Sequence, residues 1–185
     1  MGAGGGELAA ELAASGYDMV AIDPEPRGGN VLAVALDELD EPASSFDATV
    51  AVLSLHHVNP LEASCERLAE VMRPGATLLV DEFDVARFDL RAAGWWLDQR
   101  RALGGSEDAS AGEVVDEHRA ELHPLERIIE QLRHSFDVGL PVRGAYLYRW
   151  DLDESLRPLE EDLIANGELP AVGARFLARR RSISA

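Results

Sequence analysis

The sequence predicts an α/β fold with a doubly wound, mostly parallel sheet, and three observations predict it. Apolar strands alternate with amphipathic helices. The strands are near-continuous apolar runs, as in sheets covered on both faces. A glycine-rich loop stands before the first helix, where open α/β sheets bind ligands beyond the carboxyl ends of their strands.

Each element follows in order. Gly2, Gly4 and Gly6 open the chain. "ELAAELAAS" sets Leu8 and Leu12 four apart among strong helix formers, and Gly16 ends that helix. "YDMVAID" reads as a short buried strand ending at Asp23, "PEPRGGN" as a turn-rich link, and "VLAVAL" as a second strand. The link is too short for a crossover helix. "FDATVAVLSL" is the clearest strand, followed by a helix with Leu61, Cys65, Leu68, Ala69 and Met72 on one stripe. "RPG" ends that helix, and "ATLLVDEF" is another buried strand.

Helices dominate the region after residue 86. "ARFDLRAAGWWLDQRRAL" places Phe88, Ala92, Trp95 and Trp96 at helical spacing. "GGSEDASAG" is a flexible loop, and "EVVDEHRAEL" and "PLERIIEQLRHSF" read as two further helices. "VRGAYLYRW" and "GARFLARR" read as late strands separated by the helical "SLRPLEEDLIANG". The chain is expected to be one domain, 1–185, with 86–135 as a helical insertion covering the mouth of the sheet.

The chain has 185 residues and a net charge of −17, which disfavours nucleic acid and anionic membrane as partners. All 17 basic residues are arginine, which excludes lysine-based covalent catalysis and suggests a GC-rich genome. Arg179, Arg180 and Arg181 form the only dense basic run and read as a solvated end. Cys65 is the single cysteine, so neither an intrachain disulfide nor a cysteine zinc cluster can form. No apolar stretch is long enough to span a membrane, and no signal-peptide layout is seen, so a cytoplasmic protein is expected.

Two glycine fingerprints compete at the start. The dinucleotide fingerprint needs a glycine where Glu7 stands. Glycines at every second position fit Gly2, Gly4 and Gly6, and suit a ligand without a pyrophosphate. Asp23 ends the next strand, where a carboxylate can accept hydrogen bonds from both hydroxyls of a ribose.

On these residues the sequence resembles the class I S-adenosylmethionine-dependent methyltransferases. The resemblance rests on "GAGGGELAAELAASGYDMVAIDPEP", "SFDATVAVLSLHHV", "LAEVMRPGATLLVDEF" and the final "GARFLARR". It implies a Rossmann-like sheet ending in an antiparallel hairpin, S-adenosyl-L-methionine as cofactor and a small-molecule methyl acceptor, with a monomer or homodimer. By that resemblance Gly2, Ala3, Gly4 and Gly6 pass under the cofactor and Asp23 holds its ribose. Asp37 or Glu38 meets the adenine, and Ser54 and Leu55 line the cleft.

The chain departs from the family in two ways. The helix between the second and third strands is missing, and so is the first strand, with Met1 where Val or Ile usually precedes the first glycine. We expect that the true start lies upstream, a GTG valine codon having been read as an initiator. A catalytically weak cofactor-binding or scaffold protein is the alternative reading. A nucleotide-sugar or NAD enzyme is disfavoured by Glu7.

Methyl transfer needs an acceptor held in line and often deprotonated. His56 and His57 leave the fourth strand of the family pattern at the sheet's catalytic edge, and His57 is preferred as general base. Their alternative is structural, packing under the cofactor and capping a loop. Asp81, Glu82 and Asp84 can bind an acceptor or be solvated. Of Trp95 and Trp96, one is expected in the core and the other as an acceptor-site wall. His118, His123 and His134 lack the spacing of a metal site, so no metal is expected.

Overall fold

The computed structural model describes residues 1–106 and 108–182 and has the expected α/β architecture. Glu107, inside the predicted 104–112 loop, and residues 183–185 lie outside the described residues.

The main sheet is built around one long strand. Strand β3 (Phe46–Val52) runs parallel to β4 (Met72–Phe83). On the far side of β4, β7 (Gly173–Arg180) runs antiparallel, and the short β5 (Phe136–Val138) and β6 (Val142–Gly144) pair antiparallel with β7. A separate two-stranded sheet joins β1 (Ile22–Asp23) and β2 (Leu32–Ala33) in parallel. The expected antiparallel C-terminal end is present. The main sheet is mixed: β3 and β4 pair in parallel, and every pairing made by β7 is antiparallel.

Met1–Ala3 runs between the two sheets. The Met1 amino group donates to Val50 O at 2.8 Å and the Val52 amide to Met1 O at 3.5 Å. The Ala3 amide donates to Ile22 O at 3.1 Å. These residues tie β3 to β1 at the place where the resembled family carries its first strand.

β1 and β2 are shorter than "YDMVAID" and "VLAVAL" predict. Parallel neighbours need a crossover of about a dozen residues, and the link 24–31 is shorter, so only two register pairs close. After Ala33 the chain enters a 3-10 turn, Leu36–Glu38, whose Leu36 joins the core with Leu39. Helix α1 (Glu7–Ala14) buries no residue, and Leu8 is 46% exposed, so its predicted stripe has no core to meet.

One face of the main sheet carries the first core. Helices α2 (Leu61–Val71) and α5 (Leu125–Leu132) pack their apolar stripes on Leu78, Val80 and Phe176. Each fully buried Leu or Ile there contributes roughly 1.5–3 kcal/mol. Cys65 lies in this core as expected, and burial pushes its thiol up to about 12. The opposite face is open, with Leu177 56% exposed, so the expectation of helices on both faces holds for one face among the described residues. In β3 only Ala51 is fully buried.

A second core sits over the carboxyl end of β4. Helices α3 (Leu90–Ala102) and α4 (Ala111–Glu121) bring Trp96, Leu97, Val114 and Val115 onto Phe83 and Tyr146. Ser110 and Glu113 form a capping box that starts α4. Trp96 is the buried tryptophan, its indole donating to Trp150 O at 2.8 Å, while Trp95 is half-buried. Within the predicted 86–135 cover, α5 belongs to the first core instead.

"VRGAYLYRW" does not continue as a strand beyond Gly144. Glu160, on α6 (Arg157–Ala165), is fully buried and accepts the amides of Tyr146, Leu147 and Tyr148 at 2.8–2.9 Å. Those three donors are satisfied by a carboxylate rather than a strand ladder, which turns the chain over the cover. The terminal arginines are also tied down: Arg179 donates to Gly75 O, and Arg180 to Ala69 O and Ser135 O.

Candidate active site

The glycine loop is shaped by left-handed backbone and close packing. Gly2, Gly4 and Gly6 have φ of 65°, 51° and 87°, a region costly for residues with a Cβ. A Cβ on Gly2 would lie 2.4 Å from Ser54 Cβ and 2.7 Å from Val52 O, so the loop is pressed against the end of β3. A Cβ on Gly4 would meet nothing within 4 Å, which leaves that side of the loop open to a ligand. Ala3 O accepts the Gly6 amide at 2.7 Å, closing the turn into α1.

Asp23 ends β1 beside this loop. Its Oδ2 accepts the Gly4 amide and its Oδ1 the Glu25 amide, both at 2.9 Å. A carboxylate has about four acceptor positions, so two remain for a diol. The link between β1 and β2 adds a second wall: the Arg27 amide donates to Gly4 O at 2.9 Å. A Cβ on Gly28 would stand 2.0 Å from Gly5 O, so that contact requires glycine.

Asp37 and Glu38 lie on the 3-10 turn after β2, Asp37 half-buried and Glu38 exposed. No hydrogen bond or ion pair joins either to Asp23 among the described residues. Leu55 is fully buried in the first core, with its side chain turned into it. Ser54 Oγ is buried without a hydrogen-bond partner. An orphaned hydroxyl facing a glycine cradle suits a polar ligand that completes it.

The turn after β3 carries both histidines. Leu53 has φ +50° and its amide donates to Asp81 O at 2.8 Å. The Ser54 and Leu55 amides donate to Glu82 Oε1 at 2.9 and 2.6 Å, and His56 Nδ1 bonds Glu82 Oε2. His56 is buried at 3% exposure and so is closed to an acceptor. His57 is exposed, its ring 4.3 Å from that of His56. Desolvation first, then the His56 ring, hold His57 below the ordinary imidazole range, while Glu82 pulls weakly the other way. A neutral imidazole at physiological pH is the form a general base requires.

Asp81 and Asp84 have protein partners at the same mouth. Arg149 and Arg175 meet Asp81 at 3.2 and 2.5 Å, and Arg143 meets Asp84 at 2.5 Å. His118 Nδ1 bonds Val114 O, and its ring stands edge-on to Trp150 at 4.6 Å. Sequence reasoning missed three contributors: Glu82 as a buried clamp, Leu53 as a strained hinge and Gly28 as a contact to the loop. An apolar row ending in Glu82 and the Gly28–Gly29 pair were their only signals. A cleft of about 660 Å³ is lined by Asp81 with Arg143, Arg149 and Arg175, and one of about 320 Å³ by Ala43, Glu66 and Arg180; neither is lined by the glycine loop, Asp23 or the histidines.

A family model described as a methyltransferase domain matches residues 1–111. An uncharacterized methyltransferase of Mycobacterium tuberculosis is 36% identical over 88 residues, covering 42% of this chain and 36% of that protein. The chain thus matches little more than a third of the length of this relative. The 1,6-didemethyltoxoflavin-N1-methyltransferase of Burkholderia thailandensis, solved with 1,6-didemethyltoxoflavin and S-adenosylhomocysteine, superposes with a TM-score of 0.57 at 20% identity. That match covers 98% of this chain and 69% of the other. A SAM-dependent methyltransferase of Methanosarcina mazei superposes with a TM-score of 0.60 at 15% identity, covering 97% and 89%. Both structural likenesses show the Rossmann-like fold of class I methyltransferases.

Proposed function

The chain belongs to the methyltransferase-domain family, and on that premise we propose that it binds S-adenosylmethionine and methylates an oxygen or nitrogen of a small molecule. The observation that carries this reading is the pairing of Asp23 with the open Gly4 side of the glycine loop. The free acceptor positions of Asp23 suit the ribose hydroxyls. Ser54 Oγ, buried and unbonded, offers a further polar contact, and Asp37 or Glu38 would meet the adenine.

When bound, the cofactor supplies an activated methyl group on a sulfonium. The chain's own work is then to orient, exclude water and move a proton. His57 is the proposed general base, taking the acceptor's proton on its neutral ring. Buried His56 supports it. The aromatic cover around Trp96, Tyr146 and Trp150 excludes water from the mouth. A net charge of −17 favours a small acceptor over nucleic acid. The relative solved with 1,6-didemethyltoxoflavin is a precedent for N-methylation of a small molecule on this fold.

Calorimetric titration with S-adenosylmethionine and S-adenosylhomocysteine tests the reading. Saturable binding of both by the wild-type protein, lost in Asp23→Ala, supports it. Binding of neither overturns it and favours the scaffold alternative.

A further inference from the structure

We propose that Glu82 is a positioning residue for this site: it pins the 53–57 turn, fixes the His56 tautomer, and thereby sets His57 and the backbone beneath the cofactor. The proposal rests on the methyltransferase reading above.

Position 82 breaks a pattern. Along β4 the alternate residues Ala76, Leu78 and Val80 are buried on one face, and Glu82 ends that row at 0% exposure. A carboxylate is costly there unless every oxygen is satisfied. Both are: Oε1 takes the Ser54 and Leu55 amides, and Oε2 takes His56 Nδ1. No arginine meets Glu82 among the described residues; the side chain that meets it is His56.

All three donors belong to one turn, and that turn is strained. A branched residue at φ +50°, such as Leu53, holds its conformation only where its surroundings over-determine it. Asp81 O fixes the Leu53 amide, and Glu82 fixes the two amides that follow. Ser54 O in turn accepts the His57 amide at 3.1 Å, so the same turn sets His57. A carboxylate oxygen is an acceptor, so His56 carries its proton on Nδ1.

The test compares Glu82→Gln with Glu82→Ala in the full chain. Gln retains the amide-accepting oxygen but presents an N–H to His56. Imidazole nitrogen NMR is expected to find His56 as the Nδ1–H tautomer in the wild type and as Nε2–H in Glu82→Gln. S-adenosylhomocysteine affinity is expected to fall at least about tenfold in Glu82→Ala and to stay within about threefold in Glu82→Gln. An Nε2–H tautomer in the wild type overturns the proposal, as does wild-type affinity in Glu82→Ala. If Glu82→Ala does not fold, the tautomer switch in Glu82→Gln decides. If the wild type binds no S-adenosylhomocysteine, the cofactor reading fails, and the tautomer pair still decides whether Glu82 fixes the turn.

Discussion

The Gly4 amide donates to Asp23 Oδ2 at 2.9 Å, so the glycine loop and the strand-end carboxylate form one hydrogen-bonded unit. Removing the carboxylate therefore frees the loop as well as the sugar contact. Asp23→Ala is expected to weaken S-adenosylhomocysteine binding by at least about 1.4 kcal/mol, or tenfold. Asp23→Asn keeps one amide acceptor and should fall between the two. Unchanged affinity in Asp23→Ala, measured by calorimetry, would contradict this role.

Gly2 and Gly4 should respond differently to alanine. Gly2→Ala drives a Cβ into Ser54 and Val52 in addition to its φ of 65°. Gly4→Ala meets no neighbour and adds only conformational strain, about 1–2 kcal/mol. Thermal unfolding should rank Gly2→Ala as the less stable variant. Equal melting temperatures would show that the loop does not press on β3.

His57 predicts an acid limb in activity. Its pKa lies below the ordinary 6.5, through desolvation and the adjacent His56, so the neutral base persists down to the lower value. Turnover should fall only as the pH drops below about 6.5, and the limb should vanish in His57→Gln together with most activity. The stability sign agrees: the folded state disfavours the proton, so His57 costs stability as pH falls through that same window. A pH–rate profile unchanged in His57→Gln would assign the limb elsewhere.

Glu160 is a structural counterpart to Glu82. Glu160→Ala leaves the Tyr146, Leu147 and Tyr148 amides without their acceptor in a buried turn. The expected loss is about 3 kcal/mol or more, roughly 6–12 °C in Tm for a chain of this size. Glu160→Gln should recover part of it, because one oxygen still accepts the Tyr146 and Leu147 amides. Differential scanning calorimetry that finds the alanine variant as stable as the wild type would refute this clamp.

Much of the fold was legible where period and length agree. The α2 stripe was legible from Leu61 to Ala69, because an amphipathic helix on a sheet has one apolar face to bury, but Met72, read on that stripe, and the "RPG" read as its end belong to β4. The strands at β1, β2 and β6 were read too long, since apolar runs do not reveal who pairs with them. The pairing at β1 and β2 is limited by a short link, and Glu160 diverts the chain after β6. Spacing singled out the glycines and Asp23, which the structure joins through the Gly4 amide. The roles of Glu82 and Leu53 were not, because a buried carboxylate and a left-handed turn arise from contacts between distant strands. His56 and His57 read alike as neighbours in sequence, and only the structure shows their opposite burial.

The decisive measurement is a crystal structure of the protein grown with S-adenosylhomocysteine. The nucleoside should lie over Gly4, with its ribose hydroxyls bonded to Asp23 and a polar atom meeting Ser54 Oγ. An empty loop, or a nucleoside bound elsewhere while Asp23 holds only the Gly4 and Glu25 amides, would contradict the assignment of this site.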